Sequence, residues 1–144
     1  MDDLYLTHSA QQTLAATHPT NPLVQHRGQP STHDIPLGER VFASLLAREP
    51  VRLPSYDKSA FAGQGDRRPE GEWELVEGVD VVIFEGWCVG FRALGEEALE
   101  KAWKGAREEA AALGEGYEGR LGRLKLEDVR FVNEALRGYD VLTE

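Results

Sequence analysis

The stretch Val79-Asp80-Val81-Val82-Ile83-Phe84 constrains this chain more than any other. It is β-branched, nearly continuous in apolar character, and ends at once in Glu85-Gly86-Trp87. Such a run reads as a strand covered on both faces, because a strand with one wet face alternates apolar and polar residues. A buried strand delivering a carboxylate at its carboxyl end is a device of open α/β sheets, where ligands collect beyond the strand ends. A surface Glu after an apolar strand is equally compatible with no ligand at all.

Helical patterns surround that run. Leu37, Val41 and Leu45 fall at four-residue spacing and predict a helix over 36–48, with Asp34 as its cap, Pro36 in its first turn and Glu49-Pro50 as its stop. Thr7 or Ser9 caps a helix over 8–17 that Pro19 and Pro22 end. Leu99, Ala102, Trp103, Ala106, Ala110 and Leu113 share one face of a helix near 95–113. Leu126, Val129, Val132 and Leu136 do the same near 125–137, with Gly138 as a C-cap. Val51-Arg52-Leu53-Pro54 is at most a short strand. Residues 21–34 and 55–69 show no single period and read as loops.

The 144 residues make one modest domain with two unlike halves. Residues 1–92 are rich in Pro, Gly, His and Asp, and residues 93–144 are charged and helical. The net charge of −9 and pI near 5.0 argue against a nucleic-acid partner, since polyanions need an excess of Lys and Arg. The single cysteine, Cys88, cannot form an internal disulfide and fits a reducing compartment. No basic region followed by an apolar core stands at the N-terminus, and the longest apolar run is too short to span a bilayer, so the expectation is a cytoplasmic protein without a membrane partner.

Three segments carry candidate chemistry. Glu85 is the carboxylate at the strand end. In the loop that follows Pro54, Tyr56, Asp57, Lys58, Arg67 and Arg68 gather three cations in an acidic protein. They form either an anion site or a solvated loop whose charges pair locally. In Arg27-Gly28-Gln29-Pro30-Ser31-Thr32-His33-Asp34, His33 is either a general base or substrate contact, or a cap-region residue without chemistry. His8, His18 and His26 show no metal-ligand spacing, and Cys88 reads as a small buried hydrophobe.

Taken in order, DDLYLT, NPLVQHRGQPSTHD, LPSYDKSAFAGQGDRRP and VDVVIFEGWCVGFRAL resemble the D-glycerate 3-kinase family with its related fungal ATP-binding kinase-like proteins. More distantly they resemble pantothenate kinase, uridine kinase and phosphoribulokinase. The resemblance runs from residue 2 to about 94 and continues weakly through LEDVRFVNEALRGYDVL. It implies an α/β fold, an incomplete P-loop kinase core of three α/β/α layers, mostly helical here, with the strand near 79–84 lying between two strands that the chain lacks. Residues 1–144 would be a single partial domain, with acceptor-site and strand-end loops over 1–92 and a helical region over 93–144.

The resemblance also implies roles. Asp2 or Asp3 is the base beside an acceptor hydroxyl, with Tyr5 next to them. Glu85 faces a magnesium ion through water. Arg27, His33, Asp34, Tyr56, Lys58 and Arg67 line the pocket of a small, glycerate-like acceptor. In the full-length family the cofactors are magnesium and ATP. No G-x-x-x-x-G-K-[ST] occurs in this sequence, so the phosphates lack the backbone cradle and lysine that such a loop supplies. The expectation is the middle of a kinase with both ends gone, inactive alone and weak towards MgATP. Such a fragment would self-associate through the unpaired edges of its strand. The alternative is a non-catalytic small-anion or regulatory module; a third reading is an interaction protein docking through its acidic helices.

Overall fold

The computed structural model describes residues 1–143. Four helices dominate: α1 (His8–Thr17), α2 (Ile35–Leu46), α3 (Glu96–Leu113) and α4 (Leu126–Ala135). Four short strands form two antiparallel pairs. β1 (Val51–Leu53) pairs with β4 (Glu74–Val76) in the register Val51↔Val76, and β2 (Tyr56–Asp57) pairs with β3 (Asp66–Arg67) in the register Tyr56↔Arg67. The segment expected as a plain loop over 55–69 thus contains a small ladder closed by Tyr56 and Arg67.

The first two helices start where their side chains satisfy free N–H groups. The Thr7 hydroxyl accepts from Ala10 N–H, and Asp34 Oδ1 accepts from Leu37 N–H at 3.0 Å. α2 turns Leu37, Gly38 and Val41 inward, onto a core completed by Leu4, Trp73 and Leu142. A Cβ on Gly38 would stand 3.0 Å from side-chain carbons of both Leu4 and Leu142, so glycine sets how closely the N-terminal segment and the C-terminal turn approach α2. α4 gives way at Leu136 to a 3-10 helix over Leu136–Leu142; Gly138 lies inside it rather than capping α4. That extra turn buries Leu136, Tyr139 and Leu142.

The strand expected near 79–84 does not form. Those residues run without a ladder partner among the described residues, since the strands that form pair only β1 with β4 and β2 with β3. A strand is defined by its neighbour, so apolar character without one leaves an irregular segment. Phe84 turns onto α2, its ring 4.8 Å from that of Phe42. The other face is open: Val81 is 76 % and Ile83 86 % exposed.

Arg67 joins three of these pieces. Its guanidinium donates to Asp34 Oδ2 at 2.9 Å and to the Tyr5 carbonyl at 2.8 Å, with only 11 % of the side chain exposed. Asp34→Ala therefore removes a helix cap and strands a largely buried guanidinium. The expected loss is about 3 kcal/mol, read from urea midpoints. Asp34→Asn keeps a capping oxygen, and a smaller loss is expected of it.

Candidate functional site

The site is built on the N-terminal segment. Asp2–Leu4 forms a single 3-10 turn, after which Tyr5 bridges antiparallel to His33. The Tyr5 ring stacks on His33 with centroids 4.4 Å apart and meets Tyr56 edge-on at 5.5 Å. The β2 end of the small ladder is fixed to the same turn, since Tyr56 N–H donates to Asp3 Oδ1 at 3.0 Å. Lys58 Nζ donates to Asp2 Oδ2 in an ion pair whose side chains are 57 % and 42 % exposed. Both are open to water, so the pair is worth no more than about 1 kcal/mol.

A cleft of about 540 Å³ opens beside this turn, lined by Tyr5, His26, Arg27, Lys58, Ala62, Gly63 and Gln64. Arg27 reaches across it. One guanidinium nitrogen donates to the carbonyls of Gly63, at 2.7 Å, and Gln64, while its central carbon lies 5.8 Å from the Tyr56 ring centroid. Gly65 sits at φ +85°, and a Cβ there would fall 2.5 Å from the Tyr56 ring, so only glycine lets the chain pass behind that tyrosine. The loop wall is fastened to α1: His8 stacks on Phe61 at 3.8 Å, and the side chains of His8 and Gln12 meet Gln64 Oε1 at 3.1 and 2.9 Å.

The residues singled out from the sequence divide into two groups. Tyr5, Arg27 and Lys58 line the cleft, with Asp2 bound to Lys58 and with Asp3 and Tyr56 fixing the same turn. Glu85 is exposed and is not among the cleft-lining residues; its backbone carbonyl accepts from the Met1 ammonium at 2.9 Å, one residue from Asp2. His33, Asp34 and Arg67 stand behind this front. Asp34 and Arg67 hold one another. His33 is 5 % exposed, with Nδ1 2.7 Å from the Tyr139 hydroxyl, and is not among the cleft-lining residues. His26 and Gln64 were not singled out, although their motifs were; their side chains become relevant only once the loops fold against each other. Tyr139 was missed because only the chain fold brings residue 139 to residue 33.

Electrostatics follow this layering. Lys58 holds the Asp2 carboxyl below its ordinary value. Burial, with Asp2 nearby, pushes Tyr5 up to about 12, so its hydroxyl stays protonated as a donor. Burial lowers His33 to about 4 and raises Cys88 to about 11, leaving a neutral imidazole and an unreactive thiol. No cluster of three or more metal-binding side chains occurs among the described residues. Magnesium, which takes one or two carboxylates and completes its shell with water and phosphates, fits Glu85 only as a partial contribution.

The chain is 47% identical over 98 residues to a Schizosaccharomyces pombe protein described as uncharacterized kinase mug58. It is 37% identical over 105 residues to the chloroplastic D-glycerate 3-kinase of Arabidopsis thaliana. A solved D-glycerate 3-kinase from Cryptococcus neoformans superposes on 98% of this chain with a TM-score of 0.85 at 39% identity. Its homologues are D-glycerate 3-kinases and fungal kinases. The helices and short strands described above are accordingly part of an α/β kinase fold. The chain spans 35% and 23% of the two curated relatives, matching them over 65% and 69% of its own length, and 48% of the solved one. No family model matches the sequence. No helix among the described residues is long and apolar enough to cross a membrane.

The depressed imidazole has a measurable consequence. Between the unfolded value near 6.5 and the folded value near 4, the unfolded chain binds a proton that the folded chain does not, so stability falls as pH falls through that window. The expected loss is up to about 3 kcal/mol from pH 6.5 to 4. Urea midpoints across that range measure it, and His33→Gln should flatten the slope.

Proposed function

We propose that the cleft is the acceptor site of an ATP-dependent small-molecule kinase and that the acceptor is a small hydroxy acid, D-glycerate being the leading candidate. The observation that carries this reading is the pairing of Lys58 with Asp2 at the edge of a cleft that also presents Arg27 and His26, in a protein of net charge −9. An acidic chain that gathers cationic side chains around one concavity has a place for an anion, and Asp2 beside it supplies a proton acceptor. Homology to D-glycerate 3-kinases supports the same assignment.

On this reading Arg27 and Lys58 hold the carboxylate of the acceptor, and the Tyr5 hydroxyl orients it. Asp2 takes the proton from the acceptor hydroxyl as that oxygen bonds to the terminal phosphorus of ATP and ADP leaves. Glu85 would contribute a carboxylate to magnesium, which neutralises charge on the transferring phosphoryl group. Positioning and charge compensation account for most of the catalysis in such reactions. The rival reading, a non-catalytic anion-binding module, shares the acceptor chemistry and differs in turnover.

Calorimetric titration with D-glycerate tests the acceptor site. Binding of D-glycerate but not of glycerol is expected, and Arg27→Met should weaken it by about tenfold. Equal affinity for glycerol, or indifference to Arg27→Met, would remove the acceptor-site reading.

We also propose that copies of the chain associate through 79–84. Support comes from the exposure of Val81 and Ile83 and from backbone groups free of ladder bonds, the combination that recruits a second strand. Sedimentation should show concentration-dependent association that the pair Val81→Lys and Ile83→Lys suppresses. A monomer across the whole concentration range would refute it.

A further inference from the structure

Lys58 belongs to two places at once. Its ammonium is on Asp2, and its side chain lines the cleft in which an acceptor's acid group would sit. Arg27, the other cation there, is not free to serve in the same way. It is held by two backbone carbonyls and lies over Tyr56, so its position is set by the loop and not by a ligand. Lys58 is 57 % exposed, on a flexible four-carbon stem, and its bond to Asp2 is a single contact open to water. An anion entering beside Arg27 and the Asp2 carboxylate would therefore compete for one ammonium, and only Lys58 can move to decide between them.

We propose that Lys58 is an exchangeable cation: it rests on Asp2 in this conformation and passes to the acid group of the acceptor on binding, so that the acceptor itself uncovers Asp2 as a base. The inference rests on the acceptor-site reading above and adds an order of events to it. Asp2 paired with Lys58 is a poor proton acceptor, because the ammonium occupies an oxygen and stabilises the charge. After the exchange Asp2 faces the Met1 ammonium and the Tyr5 hydroxyl, with neutral His33 behind Tyr5. Its proton affinity rises as the hydroxyl to be deprotonated arrives. A ligand without an acid group leaves Lys58 in place and Asp2 masked, which makes the ion pair a filter for acids as well as a contact.

A double-mutant cycle on D-glycerate affinity separates this from simple charge attraction. If Lys58 must leave Asp2 to bind the acceptor, Asp2→Asn removes the competitor and should tighten binding by about threefold to fivefold, although it alters a proposed catalytic group. Lys58→Met should weaken binding by about tenfold, and in that background Asp2→Asn should change affinity by less than about twofold. The carboxylate carbon of Asp2 in the unmutated protein, followed by NMR, should shift on addition of D-glycerate and not of glycerol. The exchange is overturned if D-glycerate binds normally while Asp2→Asn gives no gain, if the gain persists at full size with Lys58→Met, or if the Asp2 carbon does not respond. If neither the unmutated protein nor Asp2→Asn takes up D-glycerate, the acceptor-site reading itself falls and the exchange with it.

Discussion

The arrangement depends on one guanidinium. Arg67 sits at the end of β3, opposite Tyr56, and donates both to the carboxylate that caps α2 and to the carbonyl of Tyr5. Three segments distant in sequence are thereby set against each other: the N-terminal turn, the start of α2 and the Tyr56 ladder. Hydrophobic contact alone would not fix their register, because apolar packing is non-directional, whereas a planar guanidinium accepts few geometries. The cleft is the space left in front of that junction. Its lining residues come from the N-terminal segment, the loop that leads into α2 and the loop that closes the Tyr56 ladder, so the Arg67 bonds behind the site fix two of its three walls against each other.

Legibility in the sequence followed how local the determining interaction is. Thr7 and Asp34 act within one helical turn, and the boundaries of α1 and α2 could be read from them almost to the residue. The periodic apolar faces of α3 and α4 were equally readable, since a helix makes its own hydrogen bonds. Strands depend on a neighbour that the local sequence does not contain. The strongest strand pattern, at 79–84, has no partner among the described residues, while Tyr56-Asp57 and Asp66-Arg67, with almost no pattern, found each other. The same rule holds for the site. Motif order brought Asp2, Tyr5, Arg27 and Lys58 to one place, but whether a residue faces the cleft or stands behind it is a tertiary property. His33, read as a base, a substrate contact or a cap-region residue, and Arg67, read as a cation for an anion or a local ion pair, are both largely buried and neither lines the cleft.

The charge distribution shows why composition alone says little about a site. Much of the acid on the exposed helical surface is paired: Glu96 and Glu100 engage Arg130 and Glu100 also meets Lys104. Such exposed pairs and networks tune solubility more than fold. The cleft instead sets Arg27 and Lys58 beside Tyr5 as a neutral floor, with His33 and Tyr139 buried behind it and all three rings held neutral by burial. A neutral floor screens poorly, so the field of Arg27 and Lys58 would reach the proposed anion with less loss than it would over water.

The wall opposite Lys58 is built differently from Lys58 itself. Phe61 and Ala62 take positive φ values of 50° and 55°, a conformation that costs roughly 1 kcal/mol for each non-glycine residue. Gly63 and Gly65 continue the same tight path. A backbone of that kind persists only where its surroundings hold it, and here the holding contacts are specific: His8 against Phe61, the α1 side chains on Gln64, and Arg27 on the carbonyls of Gly63 and Gln64. Arg27 is thus part of the wall as much as of the binding surface. Fixing one cation against a strained, fastened loop while leaving the other on a flexible stem would divide the work of recognition. In the proposed exchange the rigid side would set where an anion sits at little entropic cost, and the adjustable side would let the arrival of that anion change the state of the neighbouring carboxylate.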